Sequence, residues 1–115
     1  TGSILKDILD ASDLLEKEKI CARVINMHTI KPIDEKIILQ AAEETGRIIT
    51  VEDHNIIGGL GSAVAEVIAE SGQGVLFKRL GLQDFSHGYG TYKQVKEMNG
   101  IGIKQIYDEV ISAMV

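Results

Sequence analysis

Between Thr50 and Val67 the chain reads TVEDHNIIGGLGSAVAEV, and this stretch limits the available folds more than any other. The run Ile48, Ile49, Thr50, Val51 is short, β-branched and nearly continuous, as in a strand covered on both faces of a mainly parallel sheet. Charge arrives at Glu52, Asp53 and His54, where an acidic turn is predicted at the sheet's carboxyl edge. Gly58, Gly59 and Gly61 supply backbone freedom for a tight return, and Ala63, Val64, Val67 and Ile68 then mark the apolar face of a helix. A buried strand leading through glycines into a helix belongs to α/β architecture, in which ligands bind at the carboxyl ends of the strands.

The flanking sequence repeats this alternation. Ile4, Leu5, Ile8, Leu9, Leu14 and Leu15 form a stripe at helical spacing, with Ser3 as its expected N-cap. Ile20 to Met27 (ICARVINM) has the β-branched content of a strand. Pro32 marks a loop, Asp34 is placed to cap a helix bearing Ile37, Ile38, Ala41 and Ala42, and Gly46 is placed to end it. After the glycine-rich unit, a helix is predicted from about Ser62 to Gly72 and a third strand from Val75 to Leu80. A loop over Leu82 to Gly90, a short helix opening at Thr91 and a final helix carrying Ile103, Ile106, Tyr107, Val110, Ile111 and Met114 complete the chain. The order predicts an α/β fold, a three-layer α/β/α sandwich with a mainly parallel sheet, over one domain spanning 1–115.

Charge and cysteine content narrow the function. Seventeen acidic against twelve basic residues, with the lysines scattered, argue against a nucleic-acid partner. No apolar run approaches the roughly 18 residues of a membrane helix, so a soluble, cytoplasmic protein is expected. The single cysteine, Cys21, adjoins an apolar run and reads as a small buried side chain.

Little of the usual catalytic chemistry is present. G-x-S-x-G is absent, and Ser62 falls where serine ordinarily caps a helix. His28, His54, His87 and Cys21 have no metal-ligand spacing. The glycine cluster lacks the third glycine of a dinucleotide fingerprint, Val64 standing in its place, and no Gly-Lys-Ser/Thr follows. Acidic neighbours would also repel a phosphate. The cluster is therefore read as a structural bend, with anion binding at the helix start as the alternative. Phe85, Tyr89 and Tyr92 lie near His87 in sequence, either lining a pocket or sealing the core edge. The candidate interface or anion-contact residues are Glu52, Asp53, His54, Asn55, Gly58, Gly59, Gly61 and His87.

Three segments together, VINMHTIKPID (Val24 to Asp34), TVEDHNIIGGLGSAVAEV (Thr50 to Val67) and KRLGLQDF (Lys78 to Phe85), closely resemble the C-terminal domain of transketolase. The near alternatives are the same domain of 1-deoxyxylulose 5-phosphate synthase or of the 2-oxo acid dehydrogenase β subunit; a free-standing phosphate- or nucleotide-binding module is a separate reading. The resemblance implies a parent enzyme that moves a two-carbon ketol unit between sugar phosphates, using thiamine diphosphate and a divalent metal, Mg or Ca. It implies no catalytic, cofactor-binding or metal-binding residue in this chain, because the cofactor sits between the family's upstream domains. The partners implied are those upstream domains or a separate subunit, in a homodimer that this domain supports. Thr1-Gly2-Ser3 resembles the junction just after the family's first core strand. A missing strand there would expose unpaired backbone on both of its neighbours.

Overall fold

In the computed structural model the described residues are 4–55, 58–82 and 102–114, with backbone alone for 53–55 and 82. The elements in chain order are α1 (Leu5–Lys17), α2 (Glu35–Thr45), β1 (Arg47–Asn55), α3 (Leu60–Ser71), β2 (Leu76–Leu82) and α4 (Ile103–Met114). β1 and β2 pair in parallel, Arg47 opposite Leu76 through Val51 opposite Leu80. The register then shifts, so that Asn55 lies opposite Leu82.

Helices cover both faces of this pair, α1 packing with α4 on one side and α2 with α3 on the other. The period-2 alternation of β1 assigns its side chains to the two layers. Ile49 and Val51 join Ile4, Ile8, Ala11, Leu80, Ile103 and Ile106 beneath α1 and α4. Ile48 joins Ile38, Leu60, Val64, Val67, Ile68 and Phe77 beneath α2 and α3. Each Leu or Ile buried in these clusters contributes about 1.5–3 kcal/mol relative to exposure. Both faces being dry explains why Ile48–Val51 is almost continuously apolar and not alternating.

Helix ends follow local chemistry. Asp34 Oδ1 accepts the Ile37 N–H at 3.2 Å, closing the first turn of α2. Gly46 and Gly72 end α2 and α3 with φ of 67° and 73°, left-handed values that cost a residue with a Cβ about 1 kcal/mol or more. At the head of α1 the N-cap position is Ile4, without a side-chain cap; Ser3, the predicted cap, lies outside the described residues. Ile4 is there as a core residue, fully buried.

Four further expectations are corrected. Ile20 to Met27, predicted as a strand, carry no strand assignment and pair with neither strand of the described sheet, and a strand forms only where a partner's backbone lies at hydrogen-bonding distance. The described sheet consequently has two strands. β1 runs on to Asn55, so the predicted acidic turn is the end of the strand. Cys21 is exposed. α3 also opens at Leu60, slightly earlier than predicted. Phe85, His87, Tyr89, Tyr92 and the helix expected from Thr91 lie outside the described residues.

Candidate functional site

The candidate residues converge where β1 meets α3. Ile48, Thr50 and Glu52 share the β1 face that looks toward α3, two residues apart. Glu52 is the least expected of them. Its side chain is 2% exposed, and its carboxylate accepts the Leu60 N–H on Oε1 at 3.0 Å and the Gly61 N–H on Oε2 at 2.8 Å. The first amides of a helix have no partner within it and carry the positive end of its dipole. Here a carboxylate from the adjacent strand satisfies two of them, one oxygen each.

This arrangement sets the chemistry of the glycine cluster. The N-cap position of α3 is Gly59, which has no side chain with which to cap it, so Glu52 supplies the acceptor from across the turn. Gly58 sits at φ 77°, in the left-handed region, and its N–H donates to Ser62 Oγ at 3.0 Å. Gly61 serves a different purpose. A Cβ there would lie 2.8 Å from Arg79 Cδ, 2.9 Å from Arg79 Cγ and 2.9 Å from Thr50 Oγ1, so the absent side chain lets α3 settle onto the sheet. Ser62 Oγ also accepts a hydrogen bond from Arg79 Nη1 at 3.3 Å, joining α3 to β2.

The amides that would receive an external anion thus hold an internal one. Glu52, assigned in sequence to a candidate contact surface, faces inward, a correction that follows from its place on the α3 side of β1. Gly58 is exposed, and Gly59 and Gly61 complete the turn into α3. The backbone of Asp53, His54 and Asn55 continues β1 beyond this point, at the carboxyl edge. His87 lies outside the described residues. His28 is exposed, its Nδ1 3.0 Å from Thr29 Oγ1. Among the described residues no three His, Cys, Asp or Glu side chains are grouped to hold a metal ion.

A second feature lies apart from the glycine turn. A cavity of about 430 Å³ lies in the plane of the sheet, beside β1 on the edge away from β2. One wall is formed by residues 20–25 and the other by 47–51. Ala11 and Ile106 close it on the α1/α4 side, Ala41 and Val64 on the α2/α3 side.

Parallel strands covered by helices on both faces, with a glycine-rich turn leading from strand to helix, define a three-layer α/β domain. The chain belongs to the transketolase C-terminal domain family, whose model (Transketolase, C-terminal domain) matches residues 1–106. It is 40% identical over 100 residues to 1-deoxy-D-xylulose-5-phosphate synthase of Heliobacterium modesticaldum, covering 87% of this chain and 16% of that protein. It is 38% identical over 114 residues to a putative transketolase C-terminal section of Methanocaldococcus jannaschii, covering 99% of this chain and 35% of that protein. A 6-deoxy-6-sulfo-D-fructose transketolase subunit of a Clostridium species is 39% identical over 106 residues, covering 92% of this chain and 33% of that protein. Among solved structures, the split-gene transketolase described as an inactive β4 tetramer superposes with a TM-score of 0.89 at 37% identity, covering 97% of this chain and 36% of that one. The chain therefore spans between about a sixth and about a third of the length of these relatives. No helix among the described residues is long and apolar enough to cross a membrane.

Proposed function

We propose that this chain acts as the C-terminal, non-catalytic domain of a thiamine diphosphate-dependent transketolase-type enzyme, packing against upstream domains or a separate catalytic subunit and supporting the parent's dimer. The parent reaction is transfer of a two-carbon ketol unit between sugar phosphates. The single observation that carries the non-catalytic reading is the Glu52 carboxylate on the Leu60 and Gly61 amides, which fills the glycine-rich start of α3. The described residues do not fit thiamine diphosphate or its metal. The diphosphate would meet Glu52 at those amides, and among the described residues no three His, Cys, Asp or Glu side chains are grouped to hold Mg or Ca. The cofactor is thus assigned to the parent's other domains.

The split-transketolase relatives support a partner supplied as a separate polypeptide. The contact surface in this reading is the carboxyl edge of β1, with Asp53, His54, Asn55 and the exposed turn at Gly58, together with His87. Titration calorimetry tests the first half of the proposal. Thiamine diphosphate with Mg²⁺ gives no saturable binding to the chain, whereas stoichiometric micromolar binding overturns the reading. Co-purification with the catalytic subunit of a split transketolase tests the second half. Asp53→Ala with His54→Ala weakens that association while leaving the thermal midpoint in place, and undiminished association removes this edge from the interface.

A further inference from the structure

The loop that leads into α2 is held at both ends. Met27 and Ile33 pack against the α2/α3 core cluster. Ile33 O accepts the Glu35 N–H at 3.0 Å, and the Asp34 carboxylate closes the first turn of α2 on the Ile37 N–H. Between these anchors residues 28–32 are all exposed, and residues 30–33 form a turn. The place of this loop follows from the path of α2. Gly46, at the end of α2, lies at the amino end of the parallel pair, where its carbonyl accepts the Leu76 N–H at 3.0 Å. α2 packs beside α3 and β1, and its length is about 16 Å at the usual helical rise. Its first turn therefore lies toward the carboxyl end of the pair, where α3 also begins, at Leu60. The loop into α2 and the turn into α3 share one edge of the domain.

A lone exposed isoleucine means little by itself. Ile30 differs in its setting, because Met27 and Ile33 on either side are drawn onto the core while Ile30 stays 37% exposed on a turn with a fixed base. Lys31 and Pro32 beside it are exposed as well. The loop thus offers an apolar tip with a positive charge, on a chain whose formal net charge is −5. The next acidic group along the chain, Asp34, is engaged on the Ile37 N–H. We infer that residues 28–32 are a second arm of the contact edge, with Ile30 as its apolar anchor and Lys31 as its charge. The occupant is the catalytic subunit, which meets the arm with an apolar socket rimmed by carboxylates. A charge at the rim of an interface acts mainly on the association rate, whereas a buried apolar anchor acts on dissociation. The inference rests on the reading of this chain as a domain that packs on a catalytic subunit.

Binding kinetics on the immobilised catalytic subunit of a split transketolase test the arm. Both side chains are exposed, so Ile30→Ser and Lys31→Glu keep the thermal midpoint of the unaltered chain. Ile30→Ser is expected to speed dissociation about ten-fold. Lys31→Glu is expected to slow association about ten-fold at low salt, the difference fading as salt screens it. Lys17→Glu, an equal charge reversal at the end of α1, is the control and leaves both rates in place. An unchanged rate in either loop variant overturns the inference while the proposed function stands, and failure of the unaltered chain to bind overturns both. Equal slowing by Lys17→Glu also overturns the inference, because net charge is then the cause. So does loss of binding that tracks a change in self-association by sedimentation, because the arm then meets a second copy.

Discussion

The Glu52 carboxylate lies 2.8 Å from the Gly61 amide, so the end of one strand caps the helix that follows it. Glu52→Ala leaves the buried Leu60 and Gly61 N–H groups without this acceptor, at a cost of about 3 kcal/mol. Urea denaturation should read this loss as a lower midpoint with an unchanged slope.

The same variant exposes the site's latent chemistry. With the internal carboxylate gone, the α3 amides are open to an external anion, so inorganic phosphate should raise the thermal midpoint of Glu52→Ala and leave that of the parent chain alone. Equal shifts in the two proteins would place the phosphate elsewhere.

Gly61 and Arg79 form a second coupled pair. Gly61→Ala gains about 1 kcal/mol of helix propensity, yet its methyl group meets the Arg79 stem and the Thr50 hydroxyl, an overpacking cost of about 1–3 kcal/mol. The net expectation is modest destabilisation, relieved in the double variant Gly61→Ala/Arg79→Ala. A double-mutant cycle measured by denaturation checks the coupling, and strictly additive effects would refute it.

Thr50 Oγ1 is buried without a hydrogen-bond partner. Thr50→Val removes that hydroxyl at nearly constant shape, so it should stabilise the fold by about 1 kcal/mol. Thermal unfolding monitored by circular dichroism reads the gain, and a drop in midpoint would mean that the hydroxyl is satisfied in solution.

The boundaries of α2 offer a control apart from the glycine turn. Asp34→Ala removes the acceptor for the Ile37 N–H and should cost about 1 kcal/mol. Gly46→Ala forces a Cβ into a left-handed conformation and should cost about as much, though nothing crowds the position. The two sites lie at opposite ends of the helix, so their effects should add.

Local chemistry was enough to find the four described helices, the β1 core, the Asp34 cap and the Gly46 stop, because each depends on periodicity or on a neighbour within a few residues. The motif runs also sufficed to identify the family. The role of Glu52 was less accessible. Its even spacing from Ile48 and Thr50 was a usable signal, but a carboxylate repels an external phosphate and caps a helix by the same charge. Only the approach of α3 to β1, made possible by the missing side chain at Gly61, selects the second outcome. Ile20 to Met27 show the limit from the other direction. Their composition favours a strand, yet a strand exists only with a partner at hydrogen-bonding distance, and the described sheet does not include them. The sequence alone determined which segments seek burial and where the chain turns. Tertiary packing decided which backbone edges are paired and where the buried Glu52 carboxylate points, since both depend on groups brought together from distant positions.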